Sequence, residues 1–253
     1  MTGSPSISAV IVTRDRPLLL RDAFASAAAQ VPAPLEIVVV DDGDSAVEPS
    51  MLEGGALEVR VIPCTARRAA PARNLGARAA RGKLLAFLDD DDRWLPGHLA
   101  GLSSALAADA PGLAYRDVAV VREQIESGNR VELARRVIAR DWDPALMRTD
   151  DYISPSALAL TREWFDRLGG FDPSFRYSED WDLLLRAARL GAPRRVPGVT
   201  VEVRMRESGH ASLESGPERR ECLDRLAERH GLPALEIKTF WEVAEAVTAA
   251  AAR

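Results

Sequence analysis

The chain has 253 residues, 47% of them hydrophobic and 28% charged, with a formal net charge of −5. That length suits one large α/β domain, alone or with a small appendage, and supports a true core. The mild acidic balance, with arginines scattered rather than grouped, lacks the basic footprint that nucleic acid requires. Cys64 and Cys222 belong to no C-x-x-C pattern, so neither a disulfide framework nor a zinc site is indicated. The first residues lack the basic start and long apolar stretch of a signal peptide. No apolar run reaches the ~18 residues of a membrane span. The expectation is a cytoplasmic protein without an integral membrane segment.

In chain order, Ile7–Val12 is a short apolar run of the kind buried on both faces of a sheet. Pro17 suits a helix's first turn, and apolar residues recur at helical spacing from there to Gln30. Leu35–Val40 is a second buried strand ending in Asp41-Asp42-Gly43, and Leu57–Ile62, with Glu58 and Arg60, reads as an edge strand. Pro71–Arg81 is helical, Gly82 closes it, and Leu84–Leu88 is a strand running into four aspartates. This alternation argues for βαβ units and a parallel sheet. Polar residues gather where three strands end, which is where open α/β sheets bind ligands. The first ~90 residues therefore read as a nucleotide-binding half.

Beyond Asp92 the pattern predicts a helix over Pro96–Ala108, a strand over Leu113–Val121, and a turn at Ser127-Gly128-Asn129 into Arg130–Val137. Tyr152–Leu160 is expected to be a strand, followed by a short helix ending at Gly169-Gly170. A helix from about Glu179 to Leu190 stops at Gly191. The tail from Pro217 reads as two helices around Gly231-Leu232-Pro233.

Two acidic segments carry the chemistry. In Asp89-Asp90-Asp91-Asp92 four successive carboxylates repel one another, and oxygen-rich clusters of this type suit Mg²⁺ or Mn²⁺. Asp89 and Asp91 project to one side of an extended segment; the plain alternative is a solvated acidic loop. In Ser178-Glu179-Asp180-Trp181-Asp182, Ser178 can cap a helix whose macrodipole favours first-turn carboxylates and depresses their pKa. Asp182 and Arg186, four apart, read as a surface pair. His210 is a loop histidine, more often structural or merely exposed than a metal ligand. Trp142, Trp164 and Trp181 are core aromatics more readily than sugar platforms. No G-x-G-x-x-G follows the first strand, which disfavours a dinucleotide-binding oxidoreductase. Gly76–Lys83 fails as a P-loop, since Leu84 stands where Ser or Thr is required.

In order, these segments resemble the inverting family 2 glycosyltransferases of the GT-A fold. The resemblance covers roughly residues 6–212. It rests on Val12-Thr13-Arg14-Asp15-Arg16-Pro17, Gln30, Glu36 to Gly43, and Ala72-Arg73-Asn74-Leu75-Gly76 with Gly82. It continues through Phe87 to Asp92, Phe171-Asp172, Glu179-Asp180-Trp181-Asp182-Leu183, Arg186 and Gly191. Two positions depart from the pattern: Asp15 where Asn is usual, and Asp44 where Ser is usual.

The resemblance implies a mixed, mostly parallel Rossmann-like sheet flanked by helices. It further implies a domain over 1–212, with a nucleotide-binding half (1–94) and an acceptor and catalytic half (95–212), and a helical extension over 213–253. Thr13, Arg14 and Arg16 would line the nucleotide pocket, with Asp41 and Asp42 near base and ribose and Arg73 close by. Asp89 and Asp91 match the outer members of a D-x-D motif, with Asp90 on the nucleotide-sugar. Asp91 would coordinate Mn²⁺ or Mg²⁺ directly, Asp92 beside it and His210 as a further ligand. Asp180 would be the general base and Glu179 a supporting or acceptor-contacting residue. The implied partners are a nucleotide-diphosphate sugar and a small-molecule, peptide or glycan acceptor, with no nucleic acid, and a homodimer is allowed. A sugar-nucleotide nucleotidyltransferase is the competing enzyme, although Thr13–Pro17 lacks the glycine-rich loop those enzymes carry. A non-catalytic nucleotide-sugar binding protein is the competing non-enzyme.

Overall fold

The computed structural model describes residues 6–107, 112–126, 129–206 and 216–251. Its first half alternates strands and helices: β1 (Ile7–Thr13), α1 (Pro17–Ala28), β2 (Glu36–Asp41), β3 (Val59–Pro63), α2 (Ala69–Ala79) and β4 (Leu84–Asp89). β5 (Arg93–Trp94), α3 (His98–Leu106), β6 (Leu113–Glu126), β7 (Asn129–Ile138), β8 (Leu158–Thr161) and α4 (Arg162–Leu168) follow. The chain ends with α5 (Glu179–Ala187), β9 (Arg194–Met205), α6 (Pro217–His230) and α7 (Phe240–Ala251).

All but β7 lie along one sheet in the order β3-β2-β1-β4-β8-β6-β9-β5, with β7 paired to β6. The mixed sheet expected from the sequence is present. Its parallel pairing is concentrated in β3-β2-β1-β4, whereas β8 is antiparallel to both β4 and β6 and β9 runs parallel to β6. β3 is the edge strand, and its Arg60 reaches across to the fully buried Glu36 of β2 at 2.5 Å. Ser8 Oγ and the Arg81 amide also donate to Glu36, so a buried charge inside an apolar strand is satisfied.

Register places the site. Thr13 stands beside Asp41 across the β1–β2 pair, and Val12 stands beside Asp89 across β1–β4. The polar ends of three strands therefore meet at one edge because β-branched, fully buried residues behind them fix the pairing.

The strand expected over Tyr152–Leu160 is shorter than the pattern suggests. Pro155 lacks an N–H for a ladder, and Ser154 accepts from the Ser156 amide, so Pro155–Ala157 forms a 3₁₀ turn before β8 begins. The expected turn at 127–128 lies outside the described residues. α6 and α7 share the main core through Leu223, Leu226, Trp241 and Val247. The Arg122 and Arg136 guanidinium carbons lie 4.3 and 4.8 Å from the centroid of the Trp241 ring. Trp142 and Trp164 are partly buried against the core, and Trp181 is buried and donates to the Met147 carbonyl at 2.9 Å.

Gly76 brings α2 down onto the sheet. A Cβ there would lie 2.4 Å from Val10 Cγ1 and 2.9 Å from Val40 Cγ2. Gly76→Ala gains up to ~1 kcal/mol of helix propensity, but overpacking costs about 1–3 kcal/mol. A net loss in denaturant-unfolding stability is expected; equal or greater stability would mean that α2 packs less closely than this.

Candidate active site

The strand ends form one hydrogen-bonded loop system. Thr13 Oγ1 donates to Asp90 at 2.7 Å, and the Arg16 guanidinium lies 3.2 Å from both Asp90 and Asp91. The Asp41 carboxylate accepts from the Gly43 and Val47 amides, and Asp42 accepts from the Arg67 and Arg68 amides at 2.8 Å. Both residues shape the loops after β2 and before α2. Asp15, at a positive φ of 55°, accepts from the Asp44 and Ser45 amides and ties the β1 and β2 loops together. Arg14 is exposed and reaches the Arg67 carbonyl, while Arg67 pairs with Asp44.

After β4 the four aspartates take different environments. Asp89 is held by Arg73 at 2.5 Å. Asp92 is buried, accepting from Ser156 Oγ at 2.6 Å and from the Arg204 amide at 3.1 Å. Burial, then the Asp91 charge, pushes Asp90 up to about 7 against the opposing pull of Arg16 and Thr13. Burial with Asp91 and Asp89 raises Asp92 well above the ordinary carboxylate range. Crowding and burial make Asp90 and Asp92 hold their protons more tightly than free carboxyl groups do.

Arg73 connects this loop to α5. It is 4% exposed, and its two terminal nitrogens reach Asp89 at 2.5 Å and Glu179 at 2.6 Å. Burial opposes its charge, but Asp89, Glu179 and Asp180 together raise its pKa. Glu179 is nevertheless pushed up to about 7, by burial first and the Asp180 charge second. Burial likewise raises Asp180, aided by Asp89 and opposed by Arg73. The depressed pKa expected for carboxylates in a helix's first turn is therefore wrong, because desolvation and crowding of like charges outweigh the macrodipole. Ser178 occupies the cap position with φ 63° and makes no side-chain cap bond.

The surface pair expected of Asp182 and Arg186 is also corrected. Asp182 is fully buried, 2.7 Å from Arg186, and also contacts Arg229 and His230 of α6. It anchors the helix that carries Glu179 and Asp180.

Asp89, Asp91 and Asp92 share a cavity of about 240 Å³ with Arg73, Glu179 and Asp180. Its remaining walls include Asp150 to Ser154 (150, 151, 153 and 154), Tyr177, and Leu223, Lys238 and Phe240 from the C-terminal segment. Thr13 and Arg16 stand behind the cavity wall, Thr13 bonded to Asp90 and Arg16 to Asp90 and Asp91, while Arg14, Asp41 and Asp42 line the neighbouring loops. Asp150 and Asp151 end the weakly patterned stretch Tyr115–Asp151, which with the C-terminal helices is where acceptor choice is expected, but no motif singles either of them out. Asp150 pairs with Lys238 at 2.7 Å, and burial together with the Asp180 charge raises Asp151 well above the usual range. Neither follows a strand or belongs to a helix turn, so no local pattern marks them. His210 lies outside the described residues.

Among the described residues no three or more His, Cys, Asp or Glu side chains form a ready metal cage. A site completed by substrate phosphates needs only one or two protein carboxylates. Asp91 meets that need, since its carboxylate lines the cavity and its described partner, Arg16, is 3.2 Å away. An all-oxygen set of crowded carboxylates fits a hard divalent ion.

A parallel β3-β2-β1-β4 half, acidic strand-end loops and the start of α5 facing one cavity form the arrangement expected of a GT-A fold. Residues 8–169 match the profile described as Glycosyl transferase family 2. The chain belongs to that family, whose members are inverting and use nucleotide sugars. It is 32% identical over 236 residues to "Uncharacterized glycosyltransferase YwdF" of Bacillus subtilis (strain 168), covering 92% of this chain and 87% of that protein. It is 28% identical to the "Validoxylamine A glucosyltransferase" of Streptomyces hygroscopicus subsp. limoneus, over 94% of this chain but only 59% of that one. A mannosyltransferase from Pyrobaculum calidifontis, solved with GDP-Man and Mn²⁺, shares the fold at a TM-score of 0.67 and 20% identity, covering 99% of this chain and 76% of that one. The nucleotidyltransferase and non-catalytic readings give way to this membership. Among the described residues no helix is long and apolar enough to cross a membrane.

Proposed function

We propose that the chain transfers a sugar from a nucleotide-diphosphate donor to an acceptor hydroxyl in one inverting displacement, with Asp180 as general base. The observation that carries this reading is the cavity in which Asp180 faces the Asp89–Asp92 loop, with Arg73 bridging the two acidic segments. Asp91 would hold a divalent ion, Mn²⁺ or Mg²⁺, which when bound supplies Lewis-acid neutralisation of charge on the leaving diphosphate. Asp92, with both oxygens already accepting hydrogen bonds, positions that loop.

Asp180 is half-buried against the cavity, accessible to an acceptor yet desolvated enough to raise its pKa. That moves a weak base toward the operating pH, where general-base catalysis works best. Glu179, locked to Arg73, orients α5. Thr13 and Arg16 brace Asp90 and Asp91 beneath the donor. The acceptor enters along the wall formed by the Asp150–Ser154 loop, Tyr177 and the C-terminal segment. A small molecule, a peptide or a glycan would present the hydroxyl there.

Asp91→Asn is expected to lose about 10²–10³-fold of metal-stimulated turnover, several kcal/mol at 1.4 per decade. Donor hydrolysis and product mass spectrometry, with Mn²⁺ against chelator across UDP-, GDP- and TDP-sugars, test both the ligand and the reaction. Metal stimulation at the wild-type level in the variant would place the ligand elsewhere.

A further inference from the structure

A second cavity, of about 360 Å³, lies beside α1 and is lined by Asp22, Ser26, Gln30, Arg93, Trp94 and Arg204, among others. Arg204 is its distinctive member. Its side chain is only 5% exposed, yet its guanidinium makes no hydrogen bond to a described residue. The two nearest carboxylates, Asp22 at 3.9 Å and Glu202 at 4.0 Å, are held by closer arginines. Arg130 takes Asp22 at 2.9 Å, and Arg135 takes Glu202 at 2.7 Å.

A buried cation with no close partner is costly. Burial depresses the Arg204 pKa, with Arg130 and Arg93 adding to the effect and Glu123 and Glu202 opposing it. Arg93 lines the same cavity, is exposed, and has no ion-pair partner among the described residues. The other polar walls are already engaged. Ser26 Oγ donates to Ala23 and accepts from the Trp94 amide, and the Gln30 amide nitrogen donates to the Ser26 and Leu95 carbonyls. Among the described residues the unused donors are those of the two arginines, whose planar forks match phosphate and carboxylate oxygens.

We propose that this cavity is an anion-binding site, separate from the sugar-transfer cavity, in which Arg204 and Arg93 hold the phosphate or carboxylate group of a small molecule. Asp22 at the rim sets its limit, since Arg130 must keep that carboxylate neutralised. The site lies back to back with the acidic loop, because the Arg204 backbone amide is the one that holds Asp92.

Isothermal titration calorimetry of the full chain at fixed ionic strength, in chelator, with inorganic phosphate and separately with malonate, tests the proposal. Saturable binding of phosphate alone, of malonate alone, or of both identifies the group recognised. Arg93→Gln, at an exposed position, is expected to weaken that binding about tenfold or more by removing charge-assisted hydrogen bonds. Arg204→Gln is expected to weaken it at least as much, and if that variant does not fold, Arg93→Gln decides alone. Binding of neither anion, or wild-type affinity in Arg93→Gln, would overturn the site.

Discussion

Asp180→Asn is expected to lower turnover by about 10²–10⁴-fold, the contribution of a positioned general base, with donor affinity kept. The amide preserves shape and still accepts from the Trp181 amide, so loss of activity would report the base and not the fold. The pH profile carries a second signature. Burial raises Asp180, and Glu179 beside it titrates at about 7. Only the ionised base removes a proton, so kcat/KM should climb with pH along an acidic limb above the ordinary aspartate value of about 3.9. That limb should vanish from the residual activity of the variant. Wild-type turnover by Asp180→Asn, or a limb near the ordinary aspartate value, would remove Asp180 from the role.

Arg73→Met should be the most destabilising single change at the site. It leaves Asp89 and Glu179 beside one another without their shared buried cation, and breaking such a pair costs about 3–5 kcal/mol. The sign of its pH dependence follows from Glu179, whose folded pKa already exceeds the unfolded one. The native state then holds more protons than the unfolded chain, so stability falls as pH rises from the unfolded value toward about 7. Without Arg73 that fall should steepen and extend to higher pH. Arg73→Lys should recover little, since one ammonium cannot reproduce the two-armed bridge. Urea midpoints at several pH values check this. A midpoint equal to wild type at neutral pH would mean that the bridge contributes nothing net.

The parallel half of the fold was legible because its signals are local. β-branched runs, Pro17 and the spacing of α1 and α2 are each written within a few residues, and register then brings Thr13, Asp41 and Asp89 together at the strand ends. Order of motifs sufficed for the family, because membership depends on residues met one after another. The break of the Tyr152–Leu160 strand was legible in part, at Pro155, but the apolar residues on either side of it read as one strand.

What only the tertiary structure decided is charge state and partnership. Arg73 meets Glu179 across 106 positions, Asp92 meets the Arg204 amide across 112, and no spacing rule reaches so far. Helix position alone predicted depressed carboxylates at the start of α5, whereas burial and neighbouring carboxylates raise them. Asp182 reads as a surface residue by its i, i+4 partner and becomes a buried anchor once α6 folds over it. Residue types and their order determined which groups meet at the sheet's edge. Desolvation, which exists only after packing, determined how strongly each of them holds its proton.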